Sequence, residues 1–323
     1  MRAAQVVTTS GPAGVQVRDI EEPSPGPDDV LVRVHSVGIS FPDLLLSRGE
    51  YQLRPEPPFT LGVDFAGEVV TGPAPFSPGQ RVTAVLPHGG AGELAVVPAM
   101  FTFALPDSLS YDEGAALPMN YLTAQFALAE RGQVQAGETV LVHGAAGGVG
   151  TATIQVAKGC GARTIAVVST EEKRRVASAA GADHVVLLDG FREAVMELTG
   201  GRGVDLVMDV VGGDAFTDSL RVLAPQGRLL VVGFAAGQGI PEVKVNRLLL
   251  NNVDVRGVGW GAYAMLRPGY MQQQWTELLP MIESGVIRPP IGATYAFEEF
   301  GRALTDLEER RALGKLVVRV TQD

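Results

Sequence analysis

The chain has 323 residues, a hydrophobic fraction of 46%, a formal net charge of −10 and a single cysteine, Cys160. That length suggests two domains, and one cysteine excludes an intrachain disulfide framework and any multi-cysteine metal site. The acidic balance argues against a nucleic-acid partner. No apolar run reaches the ~18 residues of a spanning helix, and the N-terminus MRAAQVVTTSGP has no apolar signal core, so a cytoplasmic protein without a membrane partner is expected.

The first third is β-rich. Strands are predicted at residues 30–35 (VLVRVH), 67–70, 81–86 and 92–97, separated by proline and glycine clusters such as PSPGPDD and GPAPFSPGQ. After about Leu122 the texture changes to alternating strands and helices. Strands are predicted at 139–142 (TVLV), 164–168, 185–188, 204–209, 228–232 and 253–258, and helices at 151–158, 171–180, 191–198 and 215–223. Continuous apolar strands alternating with helices of ~10 residues describe a doubly wound parallel sheet, an α/β Rossmann domain. The tail carries helices at 275–284 and 297–309 and a last strand at 315–320 (KLVVRV). That strand needs a sheet, and the parallel one is already complete. The expected organisation is therefore a discontinuous β-rich domain, residues 1–122 and 262–323, interrupted by a Rossmann domain at 123–261.

Between TVLV and the first helix lies HGAAGGVG, residues 143–150. A buried strand, a glycine turn and a helix N-terminus place free amides and the positive dipole end at a pyrophosphate. Ala145, Ala146, Gly147, Gly148, Val149 and Gly150 are the predicted cradle. Ala145 stands where the dinucleotide pattern has glycine, which is acceptable only where the first turn needs no positive φ at that residue. The second strand ends at Val168-Ser169, without the acid that grips ribose hydroxyls in NAD sites. Ser169 and Glu172 fit a capping box, and Lys173 follows. Hydroxyls plus a cation favour NADPH over NADH. His143 reads as a packed side chain.

At this point the layout resembles the medium-chain dehydrogenase/reductase superfamily, and within it the zinc-free NADPH:quinone oxidoreductase branch, which is zeta-crystallin-like. The resemblance is carried by VGISFPDLLLSRGEY (37–51), PFTLGVDFAGEVV (58–70), LPMNYLTAQFAL (117–128), GAAGGVG (144–150), GADHVV (181–186) and RRALGKLVV (310–318). It implies that the first domain is GroES-like and catalytic. Zinc alcohol dehydrogenases of the same fold place ligands where this chain has Ser40, Val63-Asp64 and Met119. None of the expected ligands is present here as Cys or His, and the remaining histidines are scattered, so no metal is expected.

Without a Lewis acid, hydride delivery to a quinone or an α,β-unsaturated carbonyl is the chemistry expected, because charge delocalises onto an oxygen that a hydrogen-bond donor can hold. The resemblance implies that Thr123 lies near the nicotinamide, with Asn120 and Met119 just before it. It puts the backbone of Phe234 and Ala235 against the nicotinamide amide. Ser40, Phe41 and Tyr51 fall on the substrate side, and Ser169, Lys173 and Arg311 at the 2′-phosphate. Trp260 and Tyr263 read as packing residues. The alternatives are an enoyl-thioester reductase, which acts on the same kind of activated alkene, and a non-catalytic NADPH-binding protein. The strand at 253–258 would close the parallel sheet, and such an edge in this family commonly builds a homodimer.

Overall fold

A computed structural model describes residues 1–321. The chain begins with β1 (Arg2–Val6), β2 (Val15–Asp19), β3 (Asp29–Ile39), β4 (Phe59–Thr60), β5 (Asp64–Thr71), β6 (Arg81–Val85), β7 (Leu94–Pro98) and β8 (Thr102–Ala104). β1 lies between β2 and β4 in a three-stranded sheet. β3 buries Val30, Val32 and Val34 on one face while Arg33 points outward, the alternation of a strand with one covered face. Its 11 residues let it serve two partners along one edge, with Asp29 to Arg33 in register with β7. The other edge pairs with β5, which continues to β6 and β8.

Then come β9 (Thr139–Val142), β10 (Arg163–Val168), β11 (His184–Leu187), β12 (Val204–Asp209), β13 (Leu223–Val231) and β14 (Asp254–Gly257). They form one six-stranded sheet in the order β11-β10-β9-β12-β13-β14, every pairing parallel. Thr139, Val140, Leu141 and Val142 are all buried, as a sheet covered on both faces requires. Helices Gly148–Gly159, Glu171–Ala179, Phe191–Leu198 and Asp214–Ser219 connect successive strands. The strand order reverses at β9, whose neighbours are β10 and β12, and the glycine loop leaves its carboxyl end. The helix predicted at 215–223 stops at Ser219, because Leu223 already pairs with Val204. Pro225 and Gly227 look like a turn in sequence. The strand absorbs them as a register shift, with Gln226 at φ 65°.

The last stretch contains helix Tyr270–Glu283, β15 (Ile291–Ala296), helix Phe300–Glu308 and β16 (Lys315–Arg319). β16 returns to the sheet of β3, antiparallel to β3 over Ser36 to Ile39 and parallel to β15. The seven-stranded sheet runs β15-β16-β3-β5-β6-β8, with β7 also on β3. The chain thus divides into two compact units. One holds Met1–Asn120, Gly269–Trp275 and the chain from Pro289 on, and the other Tyr121–Pro268 and Thr276–Arg288. The sequence expectation set these junctions at 122/123 and 261/262. No described helix is long and apolar enough to cross a membrane.

Candidate active site

In the glycine loop the left-handed residue is Gly144, at φ +61°, so Ala145 needs no positive φ and is fully buried. The Gly144 carbonyl accepts from Gly147 N at 2.9 Å, and Ala145 N donates to Val167 O at 3.3 Å, tying the loop to β10. Gly147 is the N-cap of helix Gly148–Gly159, and its carbonyl accepts from Thr151 N. Among the described residues no backbone carbonyl accepts from the amides of Gly148, Val149 and Gly150, the first-turn donors left for an anion. A Cβ on Gly147 would meet only the Gly144 carbonyl, at 3.4 Å. The fold itself therefore leaves room for a side chain there, and a close-lying ligand is what that glycine accommodates. The cradle fits a pyrophosphate.

The strand tip differs from expectation in one detail. The N-cap of helix Glu171–Ala179 is Thr170, whose hydroxyl accepts from Lys173 N at 3.3 Å, and not Ser169. Ser169 stays at the end of β10, where its hydroxyl accepts from Lys173 Nζ at 3.3 Å. Arg174 is committed to Glu171 and to the Val185 carbonyl. Arg311 belongs to the other unit, where Asp306 (2.9 Å) and Glu309 already meet its charge. After β13, Ala235 N donates to Val210 O at 3.1 Å, and the half-exposed Phe234 packs against Gly212. Asp209 orders that neighbourhood by accepting from Val211 N and Gly212 N, both at 2.8 Å. His143 is buried, hydrogen-bonded to Ser219 Oγ at 2.7 Å and edge-on to Phe191, and burial lowers its pKa. Ser219 spends its own hydrogen on Ala215 O, so His143 Nε2 is the donor. Trp260 is buried, and Tyr263 packs on Phe126 beneath Arg267.

In the GroES-like unit, Ser40 caps helix Phe41–Ser47, and Asp43 Oδ2 reaches back to accept from Ser40 N at 3.0 Å. Asp43 Oδ1 accepts from Gly62 N at 3.0 Å, fixing the turn that leads into β5. Ser40 Oγ donates to Asp64 Oδ2 at 2.9 Å, and Asp64 Oδ1 accepts from Met119 N at 2.8 Å. Into this group Lys315, 3% exposed, projects its ammonium, 2.6 Å from Ser40 Oγ and 2.7 Å from Asp64 Oδ2. Burial, reinforced by the Asp64 charge, pushes Asp43 up to about 7 against the opposing pull of its two amide donors and Lys315. Burial and the Asp43 charge raise Tyr51, which is partly buried. Phe41 is 41% exposed.

Met119 and Asn120 lie in a π-helical stretch, Pro118–Leu122, which continues into helix Thr123–Gln125 and a second π-helical stretch, Phe126–Arg131. Wide turns of this kind often mark functional positions. Asn120 and Thr123 are buried, and Asn120 Nδ2 donates to Ala116 O at 3.3 Å. Sequence reasoning brought Ser40 and Met119 to one place, and the structure joins them through Asp64. It missed Lys315 and Asp43. The one available signal for Lys315 was a charged residue directly before the apolar run Leu316–Val318.

The alcohol dehydrogenase GroES-like domain family matches residues 26–107, and the zinc-binding dehydrogenase family matches residues 148–284. Quinone oxidoreductase-like protein 2 of Bos taurus is 39% identical over 308 residues, covering 93% of this chain and 88% of its own. A quinone oxidoreductase of Pseudomonas aeruginosa is 35% identical over 323 residues, covering 97% and 98%. A mycobacterial protein solved in complex with NADPH superposes with a TM-score of 0.90 at 33% identity, over 99% of this chain and 100% of that one. The chain belongs to the medium-chain dehydrogenase/reductase superfamily, in its quinone oxidoreductase branch. Its two units are a GroES-like domain and a Rossmann domain.

The zinc that one family name implies does not fit here. Ser40, Val63 and Met119 offer a hydroxyl, an alkyl group and a thioether where thiolates and imidazole would be needed. An ammonium, that of Lys315, is bonded to Ser40 and to the neighbouring Asp64. Among the described residues no three His, Cys, Asp or Glu side chains converge as a metal site.

Proposed function

We propose that the protein is a zinc-independent reductase that uses NADPH to deliver hydride to a quinone or an α,β-unsaturated carbonyl. The observation that carries this reading is the Lys315 ammonium bonded to Ser40 and Asp64, a fixed positive charge where relatives would hold a metal. A dication brought to the same place would be repelled, which argues against a Lewis-acid route to an alkoxide. An acceptor whose charge spreads onto oxygen needs only a hydrogen-bond donor.

Bound NADPH would supply the hydride. The amides at the start of helix Gly148–Gly159 bind its pyrophosphate, and Ser169 with Lys173 binds the 2′-phosphate. Thr123 and the backbone at Phe234 and Ala235 orient the nicotinamide end. Ser40, with Phe41, Met119, Asn120 and Tyr51 around the acceptor, holds the oxygen on which charge develops. A test is NADPH and NADH oxidation by a panel of 1,2- and 1,4-quinones, enals and enoyl thioesters. Fastest turnover with a quinone or enal and NADPH supports the reading. Preference for enoyl thioesters would move the assignment to a thioester reductase, and tight NADPH binding without turnover to a non-catalytic protein.

The cytoplasmic homodimer completes this reading. β14 is the outermost strand of its sheet, Val255 on it is 36% exposed, and Leu249 and Leu250 just before it are 76% and 74% exposed. An open edge flanked by apolar side chains suits pairing with a second copy. Sedimentation as a monomer at micromolar concentration would contradict it.

A further inference from the structure

A buried lysine is costly, and the pattern of its strand does not call for one. Lys315 opens β16 directly before Leu316, Val317 and Val318, which are all buried, and an apolar side chain would continue that strand. Replacing a buried ion pair by apolar groups is often neutral or stabilising. Lys315 is bonded to Ser40, one of the positions at which the sequence departs from metal ligation, and to Asp64, which in turn holds the amide of Met119.

We propose that Lys315 is the positioning residue of the acceptor site, holding Ser40 Oγ as the donor to the oxygen that becomes negative when hydride is delivered. This rests on the reductase reading above. The hydrogen-bond inventory supports it. Lys315 Nζ donates to Ser40 Oγ at 2.6 Å and to Asp64 Oδ2 at 2.7 Å. Ser40 has one hydrogen, directed at Asp64 Oδ2. When that hydrogen turns to an acceptor oxygen, Asp64 loses nothing essential, because Oδ2 keeps Lys315 and Oδ1 keeps Met119 N. A hydroxyl that accepts from an ammonium is also a stronger donor through its own hydrogen. Ser40 cannot drift, because Asp43 holds its amide and Lys315 holds its oxygen. The arrangement is a preorganised donor with a full positive charge one bond behind it.

The test uses two readouts on the full-length protein. The first is steady-state reduction of 1,4-naphthoquinone by NADPH in wild type, Lys315→Arg and the double variant Lys315→Met/Asp64→Asn, which leaves no orphaned charge. The double variant is expected to lose on the order of 10–100-fold in kcat, with KM and NADPH affinity changed less than about threefold, and Lys315→Arg to recover part of it. The second is the absorbance of 4-nitrophenol, an analogue of the charged product. Wild type is expected to bind its phenolate and lower its apparent pKa, and the double variant to lose that shift. Unchanged kcat together with an unchanged phenolate shift in the double variant overturns the proposal. So does a wild type that binds only neutral nitrophenol, a result that needs no variant to fold. Failure of wild type to oxidise NADPH with any acceptor counts against the reductase reading instead, and the phenolate shift then decides the role of Lys315.

Discussion

The methyl group that Gly150 lacks would fall 2.2 Å from the carbonyl oxygen of Gly144. Gly150 is thus the residue that lets helix Gly148–Gly159 close onto the loop, and Gly147, with only that same oxygen at 3.4 Å, is not. The two glycines predict opposite phenotypes. Gly150→Ala must push backbone against backbone and is expected to cost about 1–3 kcal/mol or more of stability, read as a lowered denaturant midpoint. Gly147→Val is expected to melt within a few degrees of wild type. Its NADPH affinity should drop by at least about tenfold, roughly 1.4 kcal/mol, because the new side chain occupies the pyrophosphate approach. Undiminished NADPH binding by Gly147→Val in a fluorescence titration would remove the cradle.

Under the proposed function, Lys173 is expected to distinguish the two nicotinamide cofactors. Its ammonium rests on Ser169 Oγ, at the uncharged end of β10. On that reading Lys173→Ala would remove a charge-assisted bond to the 2′-phosphate, worth about 1.5–3 kcal/mol. NADPH affinity is therefore expected to fall on the order of 10–100-fold while NADH affinity stays put. Equal losses for both cofactors, measured by isothermal titration, would return Lys173 to the solvated helix face.

The parts of the fold legible in the sequence were those whose signal is local. TVLV is a contiguous apolar run before a glycine turn, and the helix at Phe191–Leu198 and the strand at Val204–Asp209 follow the same logic, bounded as read. β1, β2 and β15 were not anticipated. β2 and β15 have no fully buried residue, and the partners that define β15 are brought by the return of the chain. The helix cap moved from Ser169 to Thr170: only Ser169 has Glu at N3, but the backbone turns into the helix one residue later, and the Thr170 hydroxyl caps it without a reciprocal acid. Lys315 was out of reach for a different reason. Its partners Ser40 and Asp64 lie 275 and 251 residues away, so neither its burial nor its charge has a local cause. The glycine loop and the tip of β10 are each contained in a short window of sequence and could be read there. The cluster of Ser40, Asp64, Met119 and Lys315 is assembled from β5, β16, a helix cap and a π-helical turn, and no window of sequence contains it.

The same lysine makes a prediction about metals. With an ammonium bonded to Ser40 and Asp64 and no thiolate or imidazole beside it, the purified protein is expected to carry well under one zinc per chain. Prolonged incubation with a chelator is expected to leave NADPH-dependent turnover unchanged. One zinc per chain by elemental analysis, with loss of activity on its removal, would show that Lys315 yields its place.

Asp43 sets a pH dependence whose sign follows from its environment. Its carboxyl is fully buried, with Asp64, Lys315 and Tyr51 as its charged or titratable neighbours, and burial carries its pKa from 3.8 to about 7. The folded protein therefore keeps a proton that the unfolded chain releases near pH 4. Between pH ~4 and pH ~7 the native state binds more protons than the unfolded state. Stability from this group is then greatest at the acid end, declines as pH rises and levels off above about 7, with a slope of at most roughly 1.4 kcal/mol per pH unit. Asp43→Asn cannot ionise. It also turns an NH₂ toward one of the two amides now bonded to the carboxyl, Ser40 N or Gly62 N, at a cost of about 1–3 kcal/mol. The variant is expected to be less stable than wild type at pH 5, and the gap should narrow toward pH 8. Denaturant unfolding at pH 5, 6, 7 and 8 measures it. Parallel curves for the two proteins would mean that the amides of Ser40 and Gly62, with Lys315 nearby, hold Asp43 ionised throughout, and that hydrogen bonding to the charged form outweighs its burial.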